Sequence, residues 1–580
     1  MAGFFGFMKH LKHLNKYFWK YRWRFFLGIF FIIVSNYFGI LAPQITGFVV
    51  DEVQSFIQPS SANNSKIFFD PLVLLIIQWM KSQKFEFGTL ILLAGLLLLC
   101  FALLRGFFMF LMRQTIIVMS RHIEYDQKNE VYEHYQQLDM LFYKVHSTGD
   151  LMSRMSEDVS RVRMYTGPAL MYLVNLVVLI SFSLFYMFNK DPLLSAYVLA
   201  PLPLLAVAMY FVNIYIIKKS ESIQSQLSEL TTIAQESYSG IRVIKSFFQE
   251  KNTWNHFDQK SEAYRKSGLA LSTVEAIYFP AIGLLIGLST LLTIYIGSTY
   301  QLQHKITSGT IAEFVVYINM LTFPVSAIGW VASNIQRAAA SQKRLNEFLQ
   351  ISPKIHETDH PIEIDTINKI SIDQANFTFE HTGIQAIKNL RLEISKGERI
   401  AIMGKTGCGK TTLVQLMLRM MDIDSGELSV NGHDIKQLNI QQLRSLVSYV
   451  PQDVFLFSDS IENNIAFGNE YADHATAVSS AEAAVIDQEI EKLPQSYQTN
   501  IGERGVTLSG GQKQRISIAR ALSKKADLFI FDDCISAVDT KTEQKIAENL
   551  GRYLKDKTAI FISHRIIRAI QFHKIIVMHE

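Results

Sequence analysis

The chain has 580 residues, enough for more than one domain, with 49% hydrophobic residues and a formal net charge of +4. The small net charge and the lack of a long basic arm argue against a nucleic-acid partner. Its three cysteines, Cys100, Cys408 and Cys534, make neither a disulfide framework nor a CxxC metal motif. The apolar residues are concentrated in the first half, which therefore decides the class of protein.

The first apolar run, residues 25–50, follows a basic N-terminal segment that contains Lys9, Lys12, Lys16 and Lys20. The run is too long for a signal-peptide core and has no small-residue cleavage site. We therefore predict a retained transmembrane helix whose basic N-terminus stays in the cytoplasm.

Five further apolar runs predict additional membrane spans. They cover residues 88–112, 167–188, 193–217, 276–299 and 311–333. Each is long enough to cross a hydrocarbon core of about 30 Å as a helix that rises about 1.5 Å per residue. Residues 1–350 are thus predicted to form an all-α domain of six helices in the cell membrane, which returns the rest of the chain to the cytoplasm.

The segments between the runs differ in length and polarity. Residues 189–192 form a tight turn that predicts a hairpin of the third and fourth spans. Residues 113–166 and 218–275 are polar with helical spacing, which favours long cytosolic extensions of the spans over separate soluble insertions. The long loop 51–87 contains a short apolar piece, residues 71–80, which lies at the membrane interface or packs as part of a loop.

Three ionisable residues fall in or near the predicted spans: Arg105, Glu275 and Glu313. An ionisable group at membrane depth is a functional candidate, because its burial in hydrocarbon is costly. The alternative is a place near the membrane surface, where the cost is small.

The composition changes after the last span. Residues 351–361 form a polar linker with two prolines, and in residues 362–580 short β-rich runs alternate with helical segments. This alternation predicts a second, α/β domain.

A glycine-rich segment that starts at Gly404 carries the clearest chemistry. It matches GxxxxGK[ST], follows the apolar run 399–403 and precedes a predicted helix, which is the context of a P-loop. Backbone N–H groups of such a loop wrap phosphates, the Lys410 ammonium reaches the outer phosphates, and the Thr411 hydroxyl faces Mg²⁺. The predicted ATP-binding residues here are Gly404, Lys405, Thr406, Gly407, Cys408, Gly409, Lys410, Thr411 and Thr412.

A second motif lies further along the same domain. Residues 528–531 read as a buried strand that ends in two carboxylates, Asp532 and Asp533. Asp532 suits the second Mg²⁺-holding position of a P-loop protein, often reached through water.

Between these motifs lies the five-residue segment Leu508, Ser509, Gly510, Gly511 and Gln512. With the P-loop, this signature makes the chain resemble the ATP-binding cassette (ABC) transporters. Six spans ahead of the cassette resemble the type IV exporters, in particular the bacterial heterodimeric multidrug exporters. The resemblance covers nearly the whole chain and implies a P-loop α/β cassette, ATP with Mg²⁺, and a second half-transporter as partner. In that family each ATP lies between one subunit's P-loop and the other subunit's signature.

The resemblance also implies roles for individual residues. Phe379 matches the aromatic residue that stacks on adenine, Gln452 the Q-loop glutamine that is near Mg²⁺ with Thr411 and Asp532, and His564 the switch histidine. The D-loop matches Ser536, Ala537, Val538 and Asp539. The family continues beyond the equivalent of Glu580, so a truncated tail is left open.

The sequence departs from the family at Asp533, where a glutamate normally activates water. An aspartate carboxylate is set back by one C–C bond, roughly 1.5 Å, and attack on the γ-phosphate is sensitive to such misplacement. We therefore expect slow hydrolysis at this chain's own site, as in the degenerate subunit of a heterodimer that exports amphipathic compounds. The alternatives are a homodimeric lipid or peptide exporter and, outside transport, a nucleotide-sensing regulatory membrane protein.

Overall fold

The computed structural model describes residues 9–57, 68–83, 85–469, 471–502, 505–535, 540–565 and 569–579. The chain divides into two compact units, and each unit is made of two separate segments of the sequence. The first unit contains residues 1–134 and 149–351, and the second contains residues 135–148 and 352–580.

The first unit is built from helices. They are α1 (Asn15–Lys20), α2 (Arg22–Ile57), α3 (Pro71–Ser82), α4 (Phe87–Gln137, of which the last residues belong to the second unit), α6 (Thr148–Ser153), α7 (Val159–Met164), α8 (Leu170–Lys190), α9 (Pro192–Leu199), α10 (Pro201–Ser239), α11 (Ile241–Ser246), α12 (Glu250–Leu302) and α13 (Ser308–Leu349). Two π-helical turns, Arg154–Asp158 and Tyr165–Ala169, join α6, α7 and α8 into one continuous helix, Thr148–Lys190, which is called the rod below.

Five helices in the described part of the chain are long and apolar enough to cross a membrane. They are α2, α4, the rod 148–190, α12 and α13. The predicted fourth span, residues 193–217, falls on α9 and the start of α10, which are separated at Ala200. Proline lacks the N–H that a continuous helix needs, so the break before Pro201 has a local cause. Six spans therefore stay a prediction.

The predicted helical extensions are present. Helix α4 continues to Gln137, α10 continues to Ser239, and α12 begins at Glu250. The predicted turn 189–192 is also present, because α8 ends at Lys190 and the Asp191 side chain caps α9 by accepting a hydrogen bond from the Leu194 amide.

The short apolar piece in the loop forms α3, which packs through one face. Val73, Ile77 and Met80 are buried against the helical core. Asp70 caps the helix and also accepts hydrogen bonds from the hydroxyls of Tyr37 (2.9 Å) and Tyr186 (2.5 Å). Packing against the helices is therefore what the structure supports for this piece.

A fully buried ion pair joins α8 to α13. The Lys190 ammonium lies 2.5 Å from a Glu313 carboxylate oxygen, and the two side chains are 4% and 0% exposed. The other carboxylate oxygen accepts a hydrogen bond from the Tyr317 hydroxyl at 2.9 Å, and the ammonium lies over the Phe69 ring. Glu313 is therefore a buried, fully bonded group, whereas Glu275 is exposed.

The second unit is an α/β domain. Its helices are α5 (Met140–Val145), α14 (Lys410–Met417), α15 (Ile440–Ser445), α16 (Ile461–Ala466), α17 (His474–Ala483), α18 (Asp487–Glu491), α19 (Gly510–Ser523) and α20 (Thr540–Tyr553). Its strands are β1 (Lys369–Phe379), β2 (Ile384–Ser395), β3 (Arg399–Gly404), β4 (Ser425–Val430), β5 (His433–Asp434), β6 (Val447–Val450), β7 (Leu528–Asp532), β8 (Thr558–Ile562) and β9 (Lys574–Met578).

These strands form two sheets. An antiparallel sheet has the order β2-β1-β4-β5, and a parallel sheet has the order β6-β7-β8-β3-β9. The central strands β7 and β8 are buried along their whole length, as expected for parallel strands covered on both faces. Helix α14 packs between the two sheets, with Leu413 and Val414 fully buried.

Candidate nucleotide-binding site

The parallel sheet brings the candidate residues together at one edge. Strands β6, β7, β8 and β3 are parallel neighbours, and Asp532 at the end of β7 pairs with Ile562 at the end of β8. Ligands of open parallel sheets bind beyond the carboxyl ends of the strands. Gln452 follows β6, Asp532 ends β7, His564 follows β8 and Gly404 ends β3, so four separate motifs share this edge.

The P-loop runs from β3 into α14. Gly409 has a φ of +91°, and a Cβ atom there would lie 2.3 Å from the Ala386 carbonyl oxygen, so only glycine fits. The Lys410 ammonium is buried and donates to the carbonyl oxygens of Gly404 (2.9 Å) and Lys405 (2.7 Å). The loop therefore folds around the lysine and presents the N-terminus of α14, which favours anions.

Two carboxylates lie beside the P-loop helix. Asp532 is 1% exposed and lies near the Thr411 hydroxyl. Burial raises the pKa of Asp532 above its ordinary value, and the charge of neighbouring Asp533 raises it further. A buried carboxylate next to a hydroxyl and a second carboxylate is an oxygen donor set that suits Mg²⁺.

Tyr449 was not among the residues singled out in the sequence. Its hydroxyl lies 3.5 Å from the Asp532 carboxylate, and burial raises its pKa above the ordinary value for tyrosine. The hydroxyl therefore stays protonated at neutral pH. Its position immediately before Val450, Pro451 and Gln452 is the only sequence signal that points to it.

Asp533 has an unusual backbone. Its φ is +44°, in the left-handed region, where aspartate is one of the few residues that occur with some frequency. Its amide donates to the Ile562 carbonyl oxygen at 2.8 Å. This hydrogen bond fixes the Asp533 main chain to the end of β8.

The predicted adenine-stacking residue, Phe379, ends β1 and packs edge-on against Phe377. Lys144 from α5 covers the Phe379 ring, with its ammonium 4.8 Å from the ring centroid, and donates to the Gln415 side chain on α14 at 3.0 Å. Sequence patterns did not indicate this contact, because more than two hundred residues separate Lys144 from the strand and the P-loop helix.

The signature segment starts α19. Ser509 is its N-cap and forms a capping box with Gln512. The Ser509 hydroxyl accepts a hydrogen bond from the Gln512 amide, and the Gln512 side-chain oxygen accepts one from the Ser509 amide. Ser509 and Gly510 are exposed. Among the described residues, no hydrogen bond joins this segment to the P-loop. The capping box uses the amides of Ser509 and Gln512, which leaves the amides of Gly510 and Gly511 for a ligand from elsewhere.

Gln452 and His564 are exposed in turns that follow their strands. The predicted D-loop, Ser536, Ala537, Val538 and Asp539, lies outside the described residues.

The chain is similar to known proteins in its membrane region as well as around the site. The ABC transporter transmembrane region family matches residues 25–325, and the ABC transporter family matches residues 387–536. The multidrug resistance-like ATP-binding protein MdlA of Escherichia coli is 30% identical over 575 residues, which are 99% of this chain and 92% of that protein. An ATP-dependent lipid A-core flippase of Syntrophus aciditrophicus is 32% identical over 467 residues, 79% of this chain and 76% of that protein.

One solved structure shows the fold. A bacterial Atm1-family ABC exporter with ATP bound matches with a TM-score of 0.71 and 22% identity, over 96% of this chain and 93% of that chain.

Proposed function

Since the chain belongs to the ABC transporter family and has the fold of an exporter, we propose that it is the degenerate-site subunit of a heterodimeric exporter for amphipathic compounds. In this proposal its first unit crosses the cell membrane six times, with the N-terminus and the cassette in the cytoplasm. The difference that we propose between the two ATP sites rests on the geometry of Asp533.

The fixed main chain of Asp533 supports a slow site. A shorter carboxylate would need its backbone to advance by roughly 1.5 Å to replace a glutamate. The hydrogen bond from the Asp533 amide to Ile562 opposes such an advance, because β8 lies inside the parallel sheet. The residues that we propose to hold ATP and Mg²⁺ keep the other carboxylate, Asp532, so we expect binding to persist and hydrolysis to be slow.

Binding is proposed to use the residues around the P-loop. Phe379 stacks on the base, the P-loop from Gly404 to Thr412 takes the phosphates, and Thr411, Asp532 and Gln452 hold Mg²⁺, which neutralises phosphate charge. The buried carboxylate of Asp532, near the Thr411 hydroxyl, is the observation in favour of the metal.

The exposed signature supports a partner subunit. The N-terminus of α19, with Ser509 and Gly511, carries partial positive charge that suits the γ-phosphate of an ATP held by another cassette. We propose that this segment completes the partner's working site and that His564 serves as the switch residue in this chain.

The test is the ATPase rate of the purified chain with Asp533 changed to Glu. A verified homodimer of the parent chain should turn over slowly, and Asp533→Glu should raise its rate by on the order of 10²-fold, because the longer carboxylate reaches the attacking water. Asp533→Asn is the matched control and should stay slow. A parent homodimer with substantial turnover, or no gain in Asp533→Glu, would refute the degenerate site.

A homodimeric lipid exporter is the second candidate, favoured by the similarity to the lipid A-core flippase. This candidate predicts that the parent homodimer hydrolyses ATP with substantial turnover and that a partner subunit does not raise the ATPase rate. The same ATPase measurement therefore separates the two candidates.

A further inference from the structure

Helix α3 runs alongside the C-terminal half of α2. The amide of its N-cap, Asp70, donates a hydrogen bond to the Gln44 side-chain oxygen at 2.8 Å, and the Asp70 carboxylate accepts one from the Tyr37 hydroxyl at 2.9 Å. At the other end of α3, the Lys81 ammonium forms an ion pair with Glu52. The helix therefore starts beside the interior of the first apolar run and ends just beyond that run.

The partners of Asp70 on α2 give its depth. Tyr37 and Gln44 lie about 18 Å and about 28 Å along the helix from Phe25, the first residue of the apolar run, at about 1.5 Å per residue. A hydrocarbon core of about 30 Å that begins at Phe25 therefore contains both residues. Because Asp70 is bonded to both at once, its level lies between theirs, in the half of the core that is farther from the N-terminus of α2.

The chain has no regular structure where it reaches this level, and protein groups cover it there. Phe68 and Phe69 precede α3 outside any helix, and both pack against the helical core. Asp70 is 4% exposed, and its carboxylate also accepts hydrogen bonds from the Leu72 amide at 2.9 Å and the Tyr186 hydroxyl at 2.5 Å. Non-helical backbone occurs at membrane depth only where it is buried in protein or lines a water-filled cavity. The contacts of Asp70 meet the first of these conditions.

Helix α3 is apolar on two sides. One side packs against the helical core, as described above. The other side presents an exposed stripe at the spacing i, i+3, i+7, formed by Leu72, Leu75 and Trp79. In a helix that starts inside the hydrocarbon core, such a stripe needs an apolar cover, which lipid chains or another protein surface supply.

The order of residues along α3 favours lipid chains as this cover. Leu72 and Leu75 lie at the deep end, Trp79 follows about one turn later, and Lys81 is level with Glu52. Apolar residues in hydrocarbon, then tryptophan at the headgroups and then a basic residue are the order met on leaving a membrane. A protein cover requires no such order.

We propose that residues 68–82 form a re-entrant element, which enters the outer half of the bilayer from the outer surface, and that Leu72, Leu75 and Trp79 bind acyl chains of the outer leaflet. The inference goes beyond the proposed export function and shares with it only the orientation of α2, with its N-terminus in the cytoplasm. The deepest point of the element is its N-cap, and its C-terminal end is at the headgroups. The exporter thus has a lipid contact in the outer leaflet that does not belong to a spanning helix.

The test is tryptophan quenching by brominated phosphatidylcholine in nanodiscs that contain the full transporter without nucleotide. The emission of Trp79 is the difference between the parent and Trp79→Phe, so the other tryptophans, including those of a partner, cancel. Lipid brominated near the headgroup should lower this emission at least twofold, and more than lipid brominated near the end of the acyl chain. Iodide in the water should have little effect.

A second variant measures the direction of α3. Leu75→Trp in the Trp79→Phe background places the probe about 6 Å deeper along the helix, so lipid brominated near the end of the acyl chain should become the stronger quencher. Trp254 is the matched control, because it lies on the polar part of α12, in the predicted cytosolic extension. The difference between the parent and Trp254→Phe should show no quenching by either lipid.

Three outcomes would overturn the proposal. Quenching of Trp79 by iodide and not by lipid would place α3 in water. Protection of Trp79 from both quenchers would assign the stripe to a second subunit. The same preferred lipid for Trp79 and for the probe introduced by Leu75→Trp would mean that α3 lies in the plane of the membrane surface and does not enter it. None of these results depends on ATP turnover, so none bears on the degenerate site, which the ATPase assay of Asp533→Glu tests separately.

Discussion

The buried pair of Lys190 and Glu313 allows a stability prediction in which the magnitude follows from burial. Glu313→Gln removes one charge but keeps an oxygen for the Tyr317 hydroxyl, so the main loss is the counter-ion of Lys190. The Lys190 ammonium would then keep the Phe69 ring and the weaker attraction of Asp51, to which no ion pair joins it, in a site where it is 4% exposed. Leaving a buried charge without its partner costs about 3–5 kcal/mol. We expect Glu313→Gln to destabilise the first unit by about 3 kcal/mol.

Intrinsic fluorescence provides the assay, because all five tryptophans, Trp19, Trp23, Trp79, Trp254 and Trp330, belong to the first unit. Thermal melting in nanodiscs followed by this signal reports that unit and not the cassette. The paired variant with Lys190→Leu and Glu313→Leu should melt well above either single variant, because it leaves no buried charge.

An exposed pair serves as the control. Arg265 and Glu262 lie at 2.7 Å but are 65% and 40% exposed, so Glu262→Gln should leave the melting curve unchanged. If Glu313→Gln melts with the parent, or if the double variant is as unstable as the worse single variant, the pair does not carry the stability that its burial implies.

Three further predictions concern the cassette. Burial raises the pKa of Asp532 in the folded state, so ionisation of Asp532 destabilises the fold; this destabilisation is absent below the unfolded-state pKa of about 3.9 and grows as the pH rises toward and through the folded-state pKa. Asp532→Asn should therefore slow hydrogen exchange of β7 in nucleotide-free protein, more at pH 7.5 than at pH 4.5. An equal effect at both pH values would contradict burial of the charge as the cause. Cys408 lies 3.7 Å from the Lys410 ammonium and is 7% exposed, so maleimide should label it slowly and ATP should protect it; unprotected Cys408 would argue against the site. Ser509→Ala removes the capping box of α19, which should destabilise the helix start by about 1 kcal/mol and so speed hydrogen exchange of its first-turn amides roughly fivefold. Ser509→Thr keeps a capping hydroxyl and should not speed this exchange. Unchanged exchange in Ser509→Ala would mean that the cap does not stabilise the helix.

Most of the architecture follows from local sequence signals. The spans are long apolar runs, and the P-loop has glycines where the backbone must be left-handed, so both are visible without knowledge of tertiary contacts. The structure confirms the helical extensions and the turn at Asp191 for the same reason, since periodicity and capping are local. The predicted fourth span is not among the five candidate membrane helices of the described residues, where the helix breaks before Pro201 within an otherwise continuous apolar run.

The contacts that could not be predicted join residues far apart in the chain. The hydroxyls of Tyr37 and Tyr186 meet at Asp70, and Lys144 meets Phe379, with no periodic pattern to signal either contact.

The discontinuity of the second unit has a consequence for dissection of the protein. Helix α5 belongs to that unit, where Leu141 packs against the hydrophobic core and the Asp139 carboxylate accepts from the Lys354 amide at 2.8 Å. A cassette expressed from residue 352 onward would lack this helix. Its surface would then carry an uncovered apolar patch beside Phe379, and such a fragment should be more prone to self-association than the same domain within the intact chain.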